Sequence, residues 1–249
     1  MTPSFQASSP ALNARDRIIV ALDVETAAAA REVVAELEDL VGAFKIGLQL
    51  FTVAGPELVK EIAGSGVKVF LDLKFHDIPN TVARASVEAA GMGVWMFNVH
   101  CLGGGHMMRQ AVNATREVCT KENLKRPLII GVTVLTSSTN ETLSETGVQG
   151  PVNERVAQLA RLSSDCGLDG VVASPLEVLD VRQAVPDARF ITVTPGIRAK
   201  HATGDDQRRV TTCRDAMANG SDYVVIGRPI IEAPDRSLAV QQIVDDVTA

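Results

Sequence analysis

Aromatic residues are scarce in this 249-residue chain, at seven Phe, one Trp and one Tyr, or 4% of the whole. A core of this size must be filled by Ala, Val, Leu and Ile, which suits parallel strands covered by helices on both faces. No stretch reaches the roughly 18 consecutive apolar residues of a membrane span, so no membrane partner is expected. Basic charge is not in excess: 24 Lys and Arg stand against 30 Asp and Glu, a net charge of −6. The cations are scattered in ones and twos, which argues against a nucleic-acid partner. The four cysteines, Cys101, Cys119, Cys166 and Cys213, form no CxxC pair. Zinc ligation and a redox dithiol are therefore not indicated, and structural thiols in a reducing compartment are expected. The opening MTPSFQASSPALNARDR shows no basic end followed by an apolar run, and a cytoplasmic location is expected. A hydrophobic content of 46% with 22% charged residues is ordinary for a globular chain.

After a polar N-terminal extension over residues 1–14, short apolar runs recur at Arg17 to Leu22, Phe44 to Leu48, Val67 to Leu73, Val94 to Val99, Leu128 to Leu135, Gly170 to Ala173, Arg189 to Val193 and Tyr223 to Ile226. They do not alternate cleanly with polar residues, the pattern of strands buried on both faces. Between them lie candidate helices at Thr26 to Leu40, Pro56 to Gly64, Asn80 to Ala90, Gly105 to Thr120, Val152 to Cys166, Pro175 to Ala184 and Cys213 to Asn219. In the first, Val33, Leu37 and Leu40 turn one stripe toward a sheet. Eight βα units with right-handed crossovers predict an α/β chain folded as a (β/α)8 TIM barrel, a single catalytic domain over residues 15–249. A doubly wound open sheet is the alternative. It is disfavoured because ALDVETA, not a nucleotide-binding glycine pattern, follows the first run.

Barrel function collects at the C-terminal strand ends, and ionisable residues recur there. Asp23 ends the first run, Lys45 lies in the second, Asp72 and Lys74 end the third, and His100 follows the fourth. Thr136 and Ser137 end the fifth, Arg198 follows the seventh and Arg228 the eighth. A charge within an apolar strand costs several kcal/mol unless paired, so Lys45, Asp72 and Lys74 should form one ionic group. Asp72 and Lys74, two apart, share a strand face, and Lys45 reaches them from the neighbouring strand. The structural alternative is a buried salt-bridge network with no chemistry. Two turns, Thr194-Pro195-Gly196 and Gly227-Arg228-Pro229, offer backbone N–H groups and an arginine to a phosphate, where barrels commonly hold one. The glycines Gly103 to Gly105 are read as a flexible loop.

The segment DLKFHDIPNT, Asp72 to Thr81, closely resembles the signature of the orotidine 5'-phosphate decarboxylase family, in its bacterial group. ALD at Ala21 to Asp23, FKIGLQL around Lys45, VTVLTS ending at Ser137, TPGIR ending at Arg198, and IGRPI accompany it in order over residues 17 to 230. The resemblance implies a (β/α)8 barrel acting as a homodimer, with no metal and no organic cofactor. It implies a charged network of Lys45, Asp72 and Lys74 from one subunit with Asp77 from the other, and Thr81 also reaching the neighbouring ligand. Asp23 would hold the ribose hydroxyls, and Thr136 or Ser137 would lie near the pyrimidine. Gln207, Gly227 and Arg228 would grip the phosphate, with Pro195 and Arg198 beside it.

The implied reaction takes orotidine 5'-phosphate to UMP and CO2. Loss of CO2 from C6 leaves an sp2 carbanion with no carbonyl placed to delocalise it, so localised charge must be stabilised electrostatically and then protonated. Lys74 suits both tasks, and Asp72 near the departing carboxylate adds like-charge repulsion in the ground state. His76 is read as structural, since the reaction needs no base. Two rivals remain from the sequence: a metal-dependent phosphosugar barrel enzyme carrying a similar Asp-x-Lys-x-x-Asp pattern, and a noncatalytic phosphometabolite-binding protein.

Overall fold

The computed structural model describes residues 13–196 and 211–248. Eight parallel strands close into a barrel in sequence order: β1 (Ile18–Ala21), β2 (Ala43–Gly47), β3 (Val69–Phe75), β4 (Met96–His100), β5 (Leu128–Val132), β6 (Gly170–Val172), β7 (Ile191–Thr194) and β8 (Tyr223–Ile226). Closure is direct, with Ile18, Ile19 and Val20 paired to Val224, Val225 and Ile226. The open-sheet alternative is thereby excluded, and every strand falls on one of the eight apolar runs.

The helices between them are α1 (Ala27–Leu37), α2 (Leu48–Gly64), α3 (Pro79–Gly91), α4 (Gly104–Lys121), α5 (Asn140–Glu145), α6 (Val152–Asp165), α7 (Val178–Ala184), α8 (Cys213–Ala218), α9 (Arg228–Ile231) and α10 (Arg236–Thr248). Thr26 caps α1 by accepting from the Ala29 N–H, and Pro79 opens α3 at a position where its missing N–H is harmless. Helices α5, α9 and α10 lie outside every expected helix, and three further features differ from the sequence reading. Helix α2 starts at Leu48 and kinks at Gly55 (φ 68°), because Pro56 cannot continue the preceding turn. The glycines expected as a loop instead open α4, from Gly104. Strand β5 stops at Val132, so Thr136 and Ser137 lie in the turn beyond it. The Thr133 hydroxyl and N–H both bond to the Val172 carbonyl as the strand leaves the sheet.

Two apolar layers follow from strand parity. Ile18, Val20, Leu22, Phe44, Ile46, Leu71 and Phe97 face outward and pack under the helices. Ile19, Ala21, Ala43, Phe70, Met96, Ile130, Val193 and Val225 form a separate cluster contributed by seven of the eight strands, with Val172 of β6 packed against it. This second cluster is the filling of the barrel. Because side chains repeat every two residues along a strand, the next inward positions above it are Asp23, Lys45, Asp72, Asn98 and Gly227. The hydrophobic plug is thus the floor of a polar layer at the C-terminal rim.

Phe70 lies directly beneath Asp72 in this parity and is 2% exposed. Phe70→Ala is expected to reduce unfolding free energy by about 3–5 kcal/mol in urea titrations, the range for emptying a packed aromatic site; a loss under about 1 kcal/mol would show that the plug does not carry the barrel.

Candidate active site

Pairing of β1 with both β2 and β8, and of β2 with β3, sets the polar layer in one row. Lys45 Nζ stands 3.4 Å from Asp23 Oδ1 and 3.4 Å from Asp72 Oδ2. Lys74 Nζ stands 2.6 Å from Asp72 Oδ1. The order is acid, base, acid, base, with no net charge. The Asp72 side chain is only 14% exposed; each of its ion pairs is worth about 5 kcal/mol at an effective dielectric near 20, before desolvation is subtracted. Removing either lysine would leave a carboxylate in a half-dry site with half its compensation.

Close approach explains two glycines in this layer. A Cβ at Gly47 would lie 2.9 Å from Lys45 Nζ, and one at Gly227 would lie 3.2 Å from Asp23 Oδ2. Both positions keep space over the row free for a ligand.

Strand parity alone does not deliver Lys74. The β3–β4 ladder shifts register between Leu71 and Phe75, and Lys74 has φ 52°, a left-handed conformation that costs a non-glycine residue roughly 1–2 kcal/mol. Asp72 and Lys74 do meet as expected, but across a bulge and not along a regular strand face. Strained backbone of this kind clusters at functional sites. The sequence reading also missed Asn98, a buried amide that donates to Asp72 Oδ1 at 2.7 Å and accepts from the Lys74 N–H at 2.7 Å. Its one available signal was a polar residue inside the apolar run Val94 to Val99.

The remaining candidates are distributed as follows. Asp77 is exposed, accepts from the Ile78 N–H at 2.6 Å, and makes no ion pair with Lys74 of its own chain. Thr81 is exposed in the first turn of α3. Thr136 is half-buried and Ser137 exposed. Pro195 follows β7, and Gly227 caps α9, whose first residue, Arg228, is exposed. Arg198 and Gln207 lie outside the described residues. Among the described residues, no group of three His, Cys, Asp or Glu is placed to hold a metal ion.

His76 stacks on His100, with ring centroids 5.1 Å apart and planes at 23°. Burial, then the neighbouring His76 and Lys74 charges, push His100 down to about 4.

An eight-fold parallel barrel with an alternating charged row on its C-terminal rim defines a (β/α)8-barrel enzyme, with its chemistry at the strand ends. Comparison narrows this to one group. The family model described as "Orotidine 5'-phosphate decarboxylase / HUMPS family" matches residues 16–243, and the chain belongs to that family. It is 52% identical to the orotidine 5'-phosphate decarboxylase of Syntrophotalea carbinolica over 238 residues, covering 96% of this chain and 97% of the relative. The Geobacter sulfurreducens protein of the same name is 50% identical over 238 residues, with 95% and 98% covered. The crystal structure of orotidine 5'-phosphate decarboxylase from Lactobacillus acidophilus aligns with a TM-score of 0.80 at 35% identity, over 93% of this chain and 99% of that one.

His100 supplies a pH test. Its depressed value means that between about pH 6.5 and 4 the unfolded chain holds a proton that the folded one lacks, so stability falls as pH drops through that window. For this half-buried ring the loss is about 1–2 kcal/mol after solvent screening. His100→Gln should flatten the stability–pH curve by that amount in denaturant titrations; an unchanged slope would show that His100 is not held neutral.

Proposed function

We propose that this chain catalyses the decarboxylation of orotidine 5'-phosphate to UMP and CO2. The observation that carries it is the Asp23–Lys45–Asp72–Lys74 row on the rim of a barrel that spans nearly the full length of the decarboxylases it resembles.

The residues divide the labour by position. Asp23 and Lys45 take the ribose, and Thr136 or Ser137 the pyrimidine. Gly227 and Arg228 take the phosphate together with Pro195, Arg198 and Gln207. That end of the molecule supplies binding energy remote from the reacting carbon. With the orotate carboxylate seated beside Asp72, the C6–carboxylate bond breaks and its electron pair stays on C6. Lys74, as an ammonium, faces that developing charge and then delivers a proton to C6. The lysine is reprotonated from solvent, so atoms and charge balance without an organic cofactor.

A metal-dependent phosphosugar reaction fits the donor set less well. Asp72 Oδ1 is occupied by Lys74 and Asn98, and Asp72 Oδ2 faces Lys45. Two ammonium groups on one carboxylate are poor surroundings for a divalent cation.

The active unit is proposed to be a homodimer with shared sites, completed by Asp77 of the partner subunit and Thr81 of the partner subunit. Two features support this. Among the described residues Asp77 forms no ion pair and accepts only from the Ile78 N–H, and the adjacent Ile78 is 68% exposed, apolar surface that a second copy would cover. Residues 15–249 are read as one catalytic domain, with 1–14 as an extension; the family match over 16–243 supports that division. No helix among the described residues is long and apolar enough to cross a membrane. A cytoplasmic location is proposed, supported by four buried cysteines that are all free.

The purified protein is expected to consume orotidine 5'-phosphate, followed as loss of orotate absorbance, equally well with and without EDTA. No turnover, or turnover abolished by the chelator, would sink the reading. Sharing is tested separately. Lys74→Ala and Asp77→Ala proteins should each be nearly inactive. Mixed under conditions of subunit exchange, they should recover about a quarter of all sites, since one site of each heterodimer inherits neither defect. Heterodimers confirmed by native mass spectrometry but still inactive would reject the shared site.

A further inference from the structure

We propose that Asn98 is a positioning residue for the reaction: through one side-chain amide it holds both the backbone of the proton donor Lys74 and the carboxylate that pairs with it. The inference rests on the decarboxylase reading above.

Between the paired positions Leu71–Phe97 and Phe75–Val99, strand β3 advances four residues while β4 advances two. The surplus residues of β3 cannot all find backbone partners on β4. Asn98 is the residue of β4 between those two positions, 1% exposed and of inward parity with Met96. Its Oδ1 accepts the Lys74 N–H at 2.7 Å, so a side chain takes over from the missing ladder bond. Its Nδ2 donates to Asp72 Oδ1 at 2.7 Å, the same oxygen that Lys74 Nζ approaches at 2.6 Å.

Each half of the amide has a separate task. The acceptor stabilises Lys74 in its left-handed conformation, φ 52°, which turns the ammonium back toward Asp72. The donor fixes the Asp72 rotamer and compensates part of its charge. A flipped amide would set a carbonyl against a carboxylate and an NH2 against an N–H, so only one orientation satisfies both. Because Asn98 carries no charge, it leaves the acid–base alternation of the row intact. An aspartate there would put a second carboxylate within 2.7 Å of Asp72, tolerable only when the pair retains a proton.

The test uses the full-length protein with orotidine 5'-phosphate. Asn98→Ala is expected to lower kcat by about a hundredfold or more while KM and UMP affinity stay within about fivefold, since geometry at the reacting carbon is lost and the phosphate grip is not. A folded Asn98→Ala protein with kcat within about threefold of the parent would overturn the assignment. A parent without turnover would instead overturn the decarboxylase reading, and the two failures are separate. Asn98→Asp is nearly isosteric and decides the matter if the alanine variant does not fold. Once protonated, the new carboxyl again offers a donor to Asp72 and an acceptor to Lys74. Its kcat relative to the parent should therefore rise as pH falls, whereas a profile parallel to the parent's would count against the proposal. In the unsubstituted protein, the Lys74 amide should exchange with deuterium slowly; exchange as fast as that of an exposed loop would overturn it independently of the variants.

Discussion

The Asp72 carboxylate between two ammonium groups is the constraint on which the rest of the structure depends. A carboxylate that is 14% exposed is costly unless each oxygen meets a donor, and here one oxygen faces Lys45 while the other meets Lys74 and Asn98. Those partners come from β2, β3 and β4, so the three strands must hold their register to a fraction of an ångström. The barrel filling beneath, Ala43, Phe70 and Met96 among others, holds that register. Closure onto β8 then brings Gly227 over Asp23 and completes the rim.

This arrangement separates stability from chemistry along each strand. Inward residues at the N-terminal and middle levels are hydrophobic and contribute burial; at the upper level Asp23, Lys45 and Asp72 are charged, Asn98 is an amide, and Gly227 carries no side chain. The opposite face is tied by structural ion pairs: Arg126 on Asp169 and Arg182 on Asp222, each carboxylate also accepting a backbone N–H. One end of the barrel can therefore be strained, as Lys74 is, because the layers below it over-determine its position.

A neutral alternating row is also suited to developing charge. Lys74 is held close to a carboxylate, so in the proposed reaction little reorganisation would accompany formation of a carbanion beside it. The amide of Asn98 orients that lysine's backbone without adding fixed charge.

The sequence by itself determined the eight strands, their parallel barrel order and the membership of Asp23, Lys45, Asp72 and Lys74 in one rim. The reason is that burial on both faces writes continuous apolar runs, and a charge at the end of such a run has few places to go. Helices α5 and α9 escaped it because six- and four-residue segments carry too little periodicity, the longer α10 was also not among the expected helices, and Thr136 and Ser137 were placed on a strand that ends at Val132. Only the tertiary structure decided how Lys74 reaches Asp72. A register shift and a positive φ arise from competition between two neighbouring ladders, and no spacing within one strand encodes that competition. For the same reason Asn98 read as one polar residue in an apolar run: its partners, 24 and 26 positions away, meet it only when β3 bulges against β4.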